Sequence, residues 1–342
     1  MDRIDDYVNS VCLAIADFDF SGYEICSVYF GGGTPSLLGE KLLTILSAVY
    51  KNAKVKANAE VTFEANPCTI NQQTLLTMWK GGFNRISIGV QDSNDSMLKT
   101  MGRLHNFTDA VSAIQMAKNA GFINISCDII LATPNQTVEK AVESAKQIIS
   151  QDIKHISTYL LNVEKGTPFY DKEIGKACPD ESETANIYLA VSEYLEKNGF
   201  EHYEISNFSK KGYESIHNTS YWLLKDYLGI GPAAYSFIDG KRFSFERDIN
   251  KFISSKNVWQ DVQFDECGGD FEEYLMLSLR LKSGFDTTVA KEKYGIKTDR
   301  LINYASVLEQ KGLVIIDKNK IRLTNEGFLL SNSIITEFLR YI

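Results

Sequence analysis

Closely spaced cysteines are missing from this sequence. Cys12, Cys26, Cys68, Cys127, Cys178 and Cys267 are scattered, and no two stand at the spacing of a zinc or iron–sulfur motif. They read as reduced, mostly buried thiols. No run of roughly 18 or more apolar residues occurs and no signal peptide opens the chain, so the expectation is a cytoplasmic protein without a transmembrane segment. A basic excess is absent too. The net charge is −8 and the pI near 5.2, which argues against nucleic acid or an anionic membrane as a general partner. There is no fixed-period repeat and no low-complexity tract. What remains is 342 residues, 44% of them hydrophobic, enough for one large domain or two ordinary ones.

Short apolar, β-branched runs recur, each followed by a helical pattern. The runs are Ser27–Phe30, Glu60–Glu64, Arg85–Val90, Asn124–Leu131, His155–Val163 and, less clearly, His202–Ile205. Helical patterns fill Glu40–Lys51, Asn71–Lys80, Ser96–Lys99 extended by Phe107–Ala120, Val138–Gln151 and Glu183–Asn198. Glycines at 81, 82, 121 and 199 sit just past helix ends, where left-handed caps are wanted. About six βα units at this spacing predict an α/β fold with a parallel, barrel-like sheet over residues 1–205. Residues 206–270 read as a loop-rich extension. Residues 271–342 read as a winged-helix-like α+β unit: helices over Phe271–Lys282, Thr287–Tyr294 and Asp299–Lys311, a hairpin turning at Asp317–Lys320, and a last helix over Ser331–Tyr341. Its acidic and basic residues nearly balance, which favours packing or covering a substrate over binding DNA.

In a parallel barrel, function gathers at the carboxyl ends of the strands. There stand Gly31-Gly32-Gly33-Thr34, then Glu64, Gln91-Asp92, Arg103 and His105 slightly downstream, Asp128 inside the apolar "CDIILATP", and Asn162 and Glu164. The stretch "VYFGGGTPSLL" lacks the lysine of a phosphate-binding P-loop, and no later glycine completes a dinucleotide fingerprint. Glycine backbone, carboxylates, an amide and a guanidinium suit a zwitterion carrying an amine, a carboxylate and hydroxyls. Singly, each residue has a plainer role open to it. The glycines can make a turn, Glu64 and Asp128 can cap helices, and Arg103 can be a surface cation.

The blocks "YFGGGTPSLL", "EVTFEANP", "GFNRISIGVQD", "MGRLHN", "HISTYLLNVEKGTPF", "YEISNFS", "HNTSYW" and "DYLGIGPAAYS" follow in order. Together they resemble the coproporphyrinogen oxidase-like branch of the radical S-adenosylmethionine (SAM) superfamily, on its haem-chaperone side. The resemblance spans nearly the whole chain. It implies that Gly32, Gly33 and Thr34 line the amino group of SAM, that Glu64 meets its adenosine portion, and that Gln91, Arg103 and Asp128 complete the site. It implies a haem ligand in His217, with Tyr221 and Trp222 as aromatic wall, and haem-acceptor proteins as partners. An isolated loop histidine more often donates to a backbone carbonyl.

The departures matter as well. Family members carry CxxxCxxC ahead of the glycine loop, where three thiolates hold a [4Fe–4S] cluster and leave one iron for SAM. This chain has no such motif, nor the strand before it, so the cluster is expected only in a longer form and radical chemistry is doubtful. "LATP", Leu131–Pro134, stands where the family has Gly-Leu-Pro. Two alternatives to haem delivery are an oxygen-independent decarboxylation of coproporphyrinogen propionates and a SAM-binding module without chemistry.

Overall fold

The computed structural model describes residues 3–342. Helix α1 (Arg3–Asp17) leads into β1 (Glu24–Phe30), α2 (Lys41–Asn52), β2 (Lys54–Ala65), α3 (Gln72–Lys80), β3 (Arg85–Gln91), α4 (Asp95–Thr100), α5 (Phe107–Ala120), β4 (Asn124–Leu131), α6 (Val138–Ile149) and β5 (His155–Leu160). After the short α7 (Pro168–Asp171) come α8 (Glu181–Lys197), β6 (Glu201–Glu204), β7 (Asn207–Ser209), α9 (Ile216–Trp222), β8 (Tyr235–Ile238), β9 (Lys241–Ser244), α10 (Ile249–Ser254) and β10 (Gln263–Cys267). The chain closes with α11 (Phe271–Ser278), β11 (Phe285–Asp286), α12 (Thr287–Tyr294), α13 (Asp299–Gln310), β12 (Val314–Asp317), β13 (Lys320–Leu323), α14 (Asn325–Leu329) and α15 (Ser331–Leu339).

The main sheet runs β1-β2-β3-β4-β5-β7-β6. β1 to β5 are parallel, as the strand–helix alternation predicts. The sixth run is different. β6 and β7 are joined by two residues only, a length that fits antiparallel neighbours, and β7 turns back between β5 and β6. The curled sheet is therefore five parallel strands closed by an antiparallel hairpin. Other expectations are also revised. α4 and α5 are separate helices, because Asn106 and Asp109 form a reciprocal capping box that starts α5 afresh. The stretch read as loop-rich holds a three-stranded antiparallel sheet, β10-β9-β8.

Strands β2 to β5 alternate along their length. Val61 and Phe63, Ile86 and Ile88, Ile125, Cys127 and Ile129 pack outward with α3 and α5 in the largest apolar core. The residues between them, Glu60, Thr62, Arg85, Ser87, Ser126 and His155, are buried on the other face. A parallel sheet usually reads as unbroken hydrophobic runs. Here the period-2 pattern marks a polar concave face. A second core forms around α11, α13, α15 and the β12–β13 hairpin, giving the winged-helix arrangement. A third joins α1 to Phe245, Phe252 and Val258. No helix among the described residues is long and apolar enough to cross a membrane.

Candidate binding cleft

The rim begins with the glycine loop. Gly31 has no room for a side chain: a Cβ there would stand 2.7 Å from the Tyr29 ring and 3.0 Å from Glu64 Oε1. Gly32 has φ +112°, a conformation that excludes most side chains, and both it and Gly33 face open space. The loop thus approaches a carboxylate on one side and leaves the other side free for a ligand. Tyr29 Oη donates to Glu64 Oε1 at 2.9 Å. Burial raises the Glu64 carboxyl above its usual range, against the Tyr29 hydroxyl and the Gly32 N–H, which favour its charged form.

Asp128, half-buried on β4, accepts from Ser87 Oγ at 3.2 and 3.3 Å. Burial raises its pKa, and the serines Ser157 and Ser87 and the Arg85 charge oppose the rise. Gln91, at the end of β3, has φ +72°, and its side chain folds over Gly89, where a Cβ would meet Nε2 at 2.7 Å. Thr34 lines the cleft described below. Arg103 lies between α4 and α5. Burial lowers its pKa, and among the described residues its guanidinium has no hydrogen bond or ion pair. Gly31–Gly33, Glu64, Gln91 and Asp128 therefore share one end of the sheet, with Arg103 in an adjoining loop. Four other rim candidates are spent on structure. His105 is 3% exposed, with Nε2 3.1 Å from the Val90 carbonyl. Asp92 is buried and accepts from the Asn94 N–H. Asn162 and Glu164 pair with each other on the surface.

The departure "LATP" has a conformational cost. Ala132 sits at φ +59°, held by its N–H donating to Gln136 Oε1 at 2.7 Å. A left-handed alanine is strained by roughly 1 kcal/mol relative to glycine. Ala132→Gly is expected to raise the unfolding free energy by about 0.5–1 kcal/mol, seen as a higher urea midpoint at unchanged slope.

His217 stands on helix α9, not in a loop. Its imidazole stacks on Tyr29, with centroids 4.5 Å apart and planes 14° from parallel. Nδ1 lies 3.2 Å from Ser27 Oγ, and Nε2 lies 2.9 Å from Tyr221 Oη. Burial pushes its pKa down to about 4, so the ring is neutral at physiological pH. The helix itself is held from below. Glu60 accepts from Ser215 Oγ at 3.3 Å, from the Ile216 N–H at 3.0 Å and from the His217 N–H at 3.1 Å. Arg85 Nε is 3.9 Å from Glu60 Oε2, with both side chains under 5% exposed. Motif reading missed Ser27, Tyr29, Glu60 and Arg85. The available signal was "EVTFE", which puts Glu60 and Glu64 on one strand face.

Between α1, β1, the glycine loop and α9 lies a cleft of about 750 Å³. β1 is the sheet's end strand, paired with β2 alone, and its other edge opens here. Phe18, Tyr23, Val28, Leu37 and Tyr227 line the walls, His217 and Tyr221 stand at one side, and Arg3 and Lys225 share the lining with Glu24 and Asp226.

A curled parallel half-barrel with glycine loop and carboxylates at its strand ends, followed by a winged-helix-like unit, defines a radical SAM fold. Residues 13–148 match the radical SAM superfamily and residues 270–330 the HemN C-terminal domain. The fold superposes on coproporphyrinogen III oxidase (HemN) from Escherichia coli with a TM-score of 0.84 and 20% identity, covering 99% of this chain and 84% of that one. Heme chaperone HemW of Lactococcus lactis is 31% identical, over 98% of this chain and 90% of the relative. Heme chaperone HemW of Escherichia coli is 35% identical over the same shares. The chain belongs to the HemW family.

The residues present fit the two small-molecule groups and not the cluster. Open glycine backbone, half-buried carboxylates and a guanidinium unpaired among the described residues match a methionine-bearing nucleoside. A neutral histidine on an aromatic cleft matches haem. The cluster does not fit: among the described residues no three His, Cys, Asp or Glu side chains are disposed to hold a metal ion, and Cys127 is fully buried on β4 while Cys68 and Cys267 lie exposed elsewhere.

Proposed function

We propose that this chain binds haem in the cleft beside α9 and passes it to acceptor proteins in the cytoplasm, with SAM at the strand-end rim. The observation that carries this reading is His217, a neutral imidazole held at the wall of an aromatic cleft. A ligand histidine must be a neutral imidazole, and the depressed pKa of His217 keeps it one at neutral pH. The cleft falls within the size range of small-molecule sites, and Arg3 and Lys225 would face the propionates. Gly32, Gly33 and Thr34 would receive the SAM amino group, Arg103 its carboxylate, and Glu64 its ribose hydroxyls, with Gln91 and Asp128 completing the site. On this reading residues 1–205 supply the SAM site, 206–270 the haem ligand and 271–342 a cover.

Haem titration followed by absorbance tests the ligand. His217→Ala is expected to shift the Soret band and weaken binding at least about tenfold; an unchanged spectrum and affinity would sink the assignment. Titration calorimetry tests the rim. SAM binds saturably to the wild type, and Glu64→Ala weakens it by about tenfold, the scale of lost hydrogen bonds to a charged group. Equal affinities would remove Glu64 from the site.

A further inference from the structure

Both nitrogens of the His217 ring have a hydroxyl in reach, and the two hydroxyls are not equivalent. Among the described residues, Ser27 Oγ and Tyr221 Oη each have this ring as their only side-chain partner. A phenol oxygen shares its lone pair with its ring, so it donates well and accepts poorly. An aliphatic hydroxyl of much higher pKa accepts better. A neutral imidazole carries one N–H and one lone pair. The arrangement that matches these donor and acceptor strengths has Nδ1–H donating to Ser27 Oγ and Tyr221 Oη–H donating to Nε2. The backbone fixes which nitrogen meets which hydroxyl. Ser27 rides on β1, and Tyr29 two residues on stacks against the ring. Tyr221 stands one turn along α9 from His217, edge-on to it at 81° and edge-on to Tyr227 at 88°.

We propose that Ser27 sets the tautomer of His217 and that the Tyr221 hydroxyl caps the Nε2 lone pair in the empty protein, so that an iron porphyrin must displace it. Ser27 is then a positioning residue, acting on the metal through the histidine, as hydrogen-bonded partners of ligand histidines do. Tyr221 is a competitor for the lone pair as well as a wall. The proposal rests on the haem reading above, and its two arms separate from that reading.

The first arm needs no haem. In long-range ¹H–¹⁵N spectra of the full chain labelled at its four histidines, His217 is identified by the signals lost in His217→Ala. Nδ1 is expected at the protonated shift and Nε2 at the unprotonated one, with Ser27→Ala mixing the tautomers and Ser27→Thr restoring them. A proton on Nε2 in the wild type would overturn the proposal even if haem binds. The second arm uses haem. The variants are expected to move in opposite directions: Ser27→Ala about tenfold weaker, Tyr221→Phe about three- to tenfold tighter, the scale of one hydrogen bond. Phenylalanine keeps the edge-on packing, so only the hydroxyl is lost. Weaker or unchanged binding by Tyr221→Phe, with binding still dependent on His217, would overturn the capping role alone. An unchanged spectrum in His217→Ala would instead overturn the haem reading.

Discussion

Glu60→Gln is expected to lower the unfolding free energy by about 3 kcal/mol, the cost of breaking a buried ion pair from one side. Glu60 is 5% exposed and Arg85 2%. The carboxylate offsets the arginine's charge and also takes the first two N–H groups of α9 and the Ser215 hydroxyl. Those N–H groups are orphans of a helix start and need an acceptor. Glutamine keeps one acceptor oxygen but brings an amide donor toward other donors, and it leaves a buried cation uncompensated. Urea denaturation measures the loss, and hydrogen exchange at the Ile216 and His217 amides locates it. The double variant Glu60→Leu/Arg85→Leu is expected to recover part of the loss, because replacing both charges removes both desolvation costs. A Glu60→Gln protein within about 0.5 kcal/mol of wild type would show that the pair is not what holds α9.

The second large effect depends on pH. Glu204 is 1% exposed, and burial raises its pKa to about 7, against hydrogen bonds from Asn207, the Ser206 N–H and Trp222. It stands at the seam between sheet and C-terminal unit, where the Ile205 N–H donates to the Arg280 carbonyl and the Lys282 N–H to the Tyr203 carbonyl. The unfolded carboxyl loses its proton near 4.3, whereas the folded one holds it to about 7. Between those values the folded state binds more protons, so stability falls as pH rises and levels off above 7. The loss is about 2–3 kcal/mol. His202 and His217, both pushed down to about 4 by burial, act with the opposite slope and fade below pH 6.5. The clean quantity is therefore wild type minus Glu204→Gln. That difference is expected to turn against the wild type by about 2–3 kcal/mol between pH 4.5 and 8. A pH-independent difference would mean that Glu204 titrates normally.

Much of the half-barrel was legible because strand and helix periods alternate with glycines at the helix ends. The hairpin β6–β7 was not, because three- and four-residue strands carry too little pattern to show direction. Gly31 is a different case. Its sequence context allowed a plain turn, and only packing showed that its backbone closes on Tyr29 and Glu64. The rim residues were found by placing polar side chains at strand ends, and that rule also drew in His105 and Asp92, which point inward. Glu60 was passed over because a charged residue at the start of an apolar run reads as its boundary. Its role depends on a helix that follows more than 150 residues later.

Tyr29 touches both proposed sites: its hydroxyl is on Glu64 and its ring lies flat on His217. A ligand at the rim that shifts Tyr29 changes the free energy of the imidazole, and a ligand that moves the imidazole changes that of the rim carboxylate. Thermodynamic linkage then requires the two effects to be equal: whatever factor one occupant imposes on the other's dissociation constant is returned in full. One aromatic ring would make occupancy of the rim a message to the proposed haem ligand, and the reverse.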